Sequence, residues 1–159
     1  MGALDVFAEA GIAPESVPVV TQHINDAHTT RAAAELLLEA HPELTAVLCT
    51  TDSMALGVLA YARERGLRVP EDLSVTGFDG IDAARRLDLA TVIQPNKAKG
   101  AAAGHMLEKL IAGATDTAGS ASAKAASRGA DEAETVPRRV LQTRFAPGKS
   151  VTAPRPRGR

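Results

Sequence analysis

Apolar positions recur along this chain in two rhythms, one of helices and one of buried strands. Residues Ala3 to Ala10 place Leu4, Phe7 and Ala8 on one side of a short predicted helix, which Gly11 stops. "VPVV" (Val17–Val20) is a short strand candidate. Thr29 or Thr30 can cap a helix from Arg31 to about Ala40, with Ala33, Leu36, Leu37 and Ala40 as its apolar side and His41-Pro42 after it. "TAVLCT" (Thr45–Thr50) is apolar without alternation, the pattern of a strand covered on both faces. A helix from about Ser53 to Arg65 follows, with Gly66 where a C-terminal cap favours glycine. "LSVTGF" (Leu73–Phe78) and "ATVIQ" (Ala90–Gln94) read as two more buried strands. A helix from about Lys97 to Ala112 ends at Gly113, and "RRVLQTRF" (Arg138–Phe145) is a last strand candidate.

Strands alternating with helices at these separations predict βαβ units and a parallel sheet, hence an α/β fold. The segment Ala114–Thr135 differs: it is rich in Ala, Ser and Gly and has no aliphatic period. It reads as a flexible surface insertion. No internal repeat is visible. The expected organisation is one subdomain over 1–113, the insertion over 114–135, a closing strand over 136–148 and a basic disordered tail over 149–159.

Composition narrows the class. With 159 residues and 45% hydrophobic content the chain can bury a core, and with no Trp, one Tyr and three Phe that core must be aliphatic. No run is long and apolar enough to span a bilayer, and "MGALDVFAEAG" lacks the basic start of a secretion signal. The single cysteine, Cys49, excludes an internal disulfide and fits a cytoplasmic setting. Charge is segregated. From Val136 onward there are seven Lys/Arg and no acid, whereas residues 1–135 hold eleven basic and nineteen acidic groups. An acidic body is the reverse of a nucleic-acid-binding surface.

In an open parallel sheet, ligands bind beyond the carboxyl ends of the strands. Those ends are Thr50-Thr51-Asp52, Phe78-Asp79-Gly80 and Gln94-Pro95-Asn96, each a polar group directly after an apolar run. Together they offer hydroxyls, carboxylates and amides to one rim, where Asp79 can accept paired hydrogen bonds from vicinal hydroxyls or a ring N–H. Plainer roles compete: Asp52 as a helix cap, Thr50 and Thr51 as caps, Asp79 as a turn residue before Gly80. Catalysis has no support, since there is no nucleophile elbow, phosphate-binding loop or Gly-x-Gly-x-x-Gly. No metal or cofactor is expected: His23 and His28 are five apart, which does not stack them on one helix face, and no Cys or Glu completes a set. Cys49 reads as inert core.

"LTAVLCTTDSMALGVLAYARERGLRVPEDLSVTGFDGI" strongly resembles the effector-binding region of the lactose/galactose-repressor (LacI/GalR) family of bacterial transcription regulators. "TVIQPNKAKGAAAGHMLEKLIAG" and "VPRRVLQTRFAPGKSVTAP" are similar to the segments that follow it. The resemblance implies a periplasmic-binding-protein-like (type I) fold, of which this chain would supply roughly the C-terminal subdomain, a three-layer α/β/α unit around a parallel sheet. It implies a small effector, sugar or nucleoside-like, in a cleft between two subdomains. It also implies contact with operator DNA only through a separate N-terminal helix-turn-helix. Position by position, Asp79 matches the effector-contacting aspartate. Thr51 stands where Asn is common, Asn96 and Ile24 stand where aromatic residues often pack on the ligand, and Gln94 lies beside them. The family further implies a homodimer through the helix Ser53–Arg65. Met54, Leu56 and Leu59 are candidate contacts, because that helix carries more apolar groups than one buried stripe requires. The competing class is a sugar-binding component of a transport system, which shares the fold; an upstream helix-turn-helix or signal peptide would separate the two. An enzyme is the third reading.

Overall fold

The structure is a computed structural model that describes residues 2–22, 26–118 and 138–153. The chain divides into two compact units, one comprising Met1–Ile93 and Arg144–Arg159, the other Gln94–Thr143. The first unit therefore does not run on to Gly113: the chain leaves it after Ile93 and returns at Arg144, because the last strand pairs with the strand that ends at Ile93.

The first unit holds a four-stranded sheet in the order β1 (Ala46–Leu48), β2 (Ser74–Asp79), β3 (Ala90–Ile93), β4 (Arg144–Ala146). The first three strands are parallel and β4 is antiparallel to β3, so the parallel α/β reading holds with one antiparallel edge. Val47 and Val75 pair across β1 and β2 and, with Cys49, face a core completed by Ala34, Leu38, Ala55, Val58, Tyr61, Ala62, Leu73 and Leu89. The core is aliphatic, as composition required, with Tyr61 its one aromatic among the buried residues. Strand β1 is an edge strand and is not covered on both faces: Val47 is buried, but Leu48 keeps 57% of its surface exposed.

Helix α1 (Ala3–Glu9) matches expectation but buries no residue. "VPVV" forms no strand; a 3-10 turn at Pro14–Ser16 precedes it, and the β-favouring residues find no neighbour to pair with. Helix α2 (Ala27–Ala40) begins four residues before Arg31 because Asp26, not Thr29 or Thr30, caps it. The Asp26 carboxylate accepts from the Thr29 amide at 2.8 Å and the Thr29 hydroxyl at 2.9 Å, which lowers its pKa. Its buried face is Thr30, Ala34 and Leu38, one position round from the expected Ala33 and Leu37, with Leu37 packed partly on the core and Leu36 63% exposed. Helix α3 (Asp52–Glu64) ends as expected, with Gly66 at φ +71. Helix α4 (Asp82–Arg86) links β2 to β3. In the second unit, α5 (Asn96–Ala118) runs past Gly113. The expected insertion is thus helical as far as Ala118, and its remainder lies outside the described residues. Strand β4 is shorter than Arg138–Phe145; Val140 is 93% exposed and outside the sheet.

The segment expected to open a loose tail is stitched into the sheet. Ser150 is buried, its hydroxyl donates to the Val75 carbonyl at 2.6 Å and accepts from the Ala90 amide at 2.9 Å, and its carbonyl accepts from the Val75 amide. Lys149 adds a backbone bond to the Asp88 carbonyl and an ion pair to its carboxylate at 2.8 Å.

Candidate functional site

The parallel strands bring the end of β2 and the loop after β1 to one edge. Thr51 is the cap of α3: its hydroxyl accepts from the Met54 amide at 3.2 Å. Asp52 is the first helical residue and not a cap. It is fully buried and turned away from its own helix end. One carboxylate oxygen accepts from the amides of Gly80 at 2.7 Å and Ile81 at 2.8 Å, and the other accepts from the Thr91 hydroxyl at 2.6 Å. The residue thus joins three chain segments: the β1–α3 loop, the β2–α4 loop and β3. Hydrogen bonds to a charged acceptor contribute roughly 1.5–3 kcal/mol each, and three of them offset the burial of a carboxylate. Space for it comes from β2, where Gly77 faces the same oxygen so closely that a Cβ there would collide with it. The sequence placed Asp52 at a helix start, where capping is the default; the glycine two residues before Asp79 was the signal that something bulky crosses β2.

Asp79 is the last residue of β2 and pairs with Ile93 of β3. Its side chain is half-buried. Its backbone has φ 126, a region that L residues rarely adopt. Gly80 follows at φ 77, and a Cβ there would lie 2.7 Å from the Ile93 side chain and 2.9 Å from its Cα, so only glycine serves. The turn is sharp and is held from behind by Asp52. Strain of this kind concentrates at sites where a side chain is presented to a ligand.

Thr51 and Asp79 therefore share the edge that the strand order predicted. Gln94 and Asn96 belong to the second unit: Gln94 accepts from the Lys99 ammonium at 2.7 Å, and Asn96 begins α5 exposed. Ile24 lies outside the described residues. Among the described residues no group of His, Cys, Asp and Glu is arranged to hold a metal, and no helix is long and apolar enough to cross a membrane.

Two clefts lie elsewhere on the first unit. One, of about 720 Å³, lies at the opposite end of the sheet, between Glu39, Leu44, Tyr61, Arg65, Asp72 and Ser74. The other, of about 520 Å³, runs along α3 and is apolar, lined by Leu56, Leu59, Ala60, Val69 and Leu87. Met54 and Leu59 pack partly on the core, whereas Leu87 is 59% exposed in the groove.

Residues 1–151 match the periplasmic binding protein-like domain. The HTH-type transcriptional regulator IpsA of Corynebacterium glutamicum is 45% identical over 150 residues, which are 94% of this chain and 37% of that protein. A crystal structure of a LacI-family transcriptional regulator from C. glutamicum superposes with a TM-score of 0.76 at 44% identity, covering 94% of this chain and 39% of that one. A LacI-family regulator from Arthrobacter, in complex with lactose, superposes with a TM-score of 0.67 at 29% identity, over 93% of this chain and 48% of that one. The chain thus spans well under two thirds of the relatives it matches, and they are regulators. The chain belongs to the periplasmic binding protein-like domain family, and the proteins it is similar to are LacI-type transcriptional regulators.

Proposed function

We propose that this chain supplies one wall of a cytoplasmic effector site for a small polyhydroxylated metabolite, and that it senses this ligand without chemical turnover. The observation that carries the reading is Asp79, a half-buried carboxylate on a strained backbone at the C-terminal end of a parallel strand, beside Thr51. A carboxylate accepts from two vicinal hydroxyls at once, which suits a sugar better than an apolar ligand. The Arthrobacter regulator solved with lactose supports the ligand class. Gln94, Asn96 and Ile24 are proposed as further contacts, on the family pattern. The parent protein would reach operator DNA through a helix-turn-helix outside this chain. The apolar groove along α3, with Leu56 and Leu59, would pair two copies, with Met54 of the same helix as a further contact.

Calorimetric titration with lactose, other mono- and disaccharides and nucleosides tests the site. Asp79→Asn is the informative variant, because Asn tolerates positive φ and keeps the size of the side chain. We expect it to weaken any ligand bound by the wild-type chain at least tenfold while the melting temperature stays close to wild type. A variant that binds as tightly as wild type removes Asp79 from the site.

A further inference from the structure

We propose that Asp52 is the positioning residue of this site: it holds the Asp79–Gly80 turn in the conformation that presents Asp79. The inference rests on the reading of Asp79 as the ligand contact, but its test does not require a ligand. Asp79 and Gly80 both have positive φ, and the amides of Gly80 and Ile81 both point at one Asp52 oxygen. Asp52 has no exposed surface, so it is not a ligand contact itself. Its second oxygen is fixed by the Thr91 hydroxyl. The side chain cannot withdraw: Gly77 leaves room for it and nothing larger, and its backbone is the first turn of α3. A non-glycine residue left to itself relaxes from φ 126 to ordinary extended backbone. What keeps Asp79 from doing so is the pair of amides just after it, tied to a carboxylate that is anchored on β3. The same side chain fixes the distance between the loop that carries Thr51 and the loop that carries Asp79.

The hold is one of hydrogen-bond acceptance, and this separates two variants. In Asp52→Asn the amide oxygen can still accept from Gly80 and Ile81, while its NH2 donates to the Thr91 hydroxyl, which also accepts. In Asp52→Ala no acceptor remains. The test is NMR on the ligand-free chain. The three-bond coupling between the Asp79 amide and Hα protons is small at φ 126 and large in an extended strand. Amide exchange of Gly80 and Ile81 reports the two hydrogen bonds. Expected is a small coupling and protected amides in the wild type and in Asp52→Asn, and a large coupling with unprotected amides in Asp52→Ala. If the wild-type chain binds a saccharide, Asp52→Ala should weaken it at least tenfold and Asp52→Asn far less. Should the Ala variant not fold, Ile81→Pro removes one of the two donors from the other side at a backbone angle (φ −67) that proline accepts. It should raise the Asp79 coupling with Asp52 intact. A coupling at Asp79 that stays small in whichever of these variants folds overturns the proposal. An absence of saccharide binding by the wild type, with the couplings behaving as expected, counts against the ligand reading and leaves the positioning role standing.

Discussion

Cys49, Asp52 and Asp79 lie within one sheet edge and meet three different fates. Cys49 is buried just past β1, and burial pushes its thiol up from an ordinary 9.0 to about 12, with the nearby Asp52 carboxylate acting in the same direction. The thiolate is the reactive form. A disulfide reagent at pH 8 should therefore leave Cys49 unmodified in the folded chain and label it fully in denaturant; rapid labelling of the native protein would place the thiol at the surface. The raised value also has a thermodynamic sign. Below pH 9 the thiol is neutral in both states; between 9 and about 12 it ionises only on unfolding, so stability falls through that window. Urea titrations at stepwise pH measure it. Asp52 and Asp79 show where residue-level reading stops. Asp79 was legible because its strand ends there and glycine follows. The role of Asp52 was not, since its partners Gly80, Ile81 and Thr91 lie between 28 and 39 residues away and no local pattern announces them.

At the scale of elements, the contact of α2 with α3 is set by one close approach. A Cβ on Gly57 would stand 2.5 Å from the Thr30 hydroxyl oxygen and 2.8 Å from the Thr30 carbonyl carbon. Because backbone is involved, trimming Thr30 does not make room. Gly57→Ala should push the helices apart and cost about 1–3 kcal/mol, as overpacking does, which is roughly 2–4 °C of melting temperature per kcal/mol for a chain of this size. A melting curve unchanged by the substitution would show that the helices are free to slide. The strands β2 and β3 were readable as apolar runs closed by polar or turn residues, and the helix α3 as an apolar stripe with a capping residue before it and a glycine after it. "VPVV" satisfied only the propensity of its residues and has no pairing partner. Helix α2 was placed four residues late because Thr29, a plausible cap, is itself bonded by the true cap, Asp26. Edge exposure of Leu48 was hidden for a different reason: nothing in a strand's own residues states how many neighbours it will have.

For the whole molecule, net charge and surface shape set the expectations. The acidic first 135 residues argue that this chain alone binds no operator sequence; any affinity for DNA should come from its Arg-rich end and vanish as salt rises. A sequence-selective shift that survives high salt, measured with this chain by itself, would refute this. The groove along α3 leaves Leu87 largely exposed among half-buried Leu56 and Leu59, and an uncovered apolar groove favours association. A closed pair is the default assembly. Sedimentation equilibrium at micromolar concentration should find a dimer, and Leu56→Glu should shift it to monomer; a wild-type monomer or a dimeric variant would place the contact elsewhere. The division after Ile93 escaped sequence reading because β4 joins β3 from beyond the second unit, a pairing that periodicity cannot see. The Ser150 stitch carries a consequence for synthesis. Its hydroxyl bridges Val75 and Ala90, made 75 and 60 residues earlier. A ribosome that has finished both strands has not yet made the tie between them, so the nascent sheet must wait, open at that end, until Ser150 is made. A stop codon between β3 and Ser150 yields every strand of the parallel sheet and still leaves it unfastened.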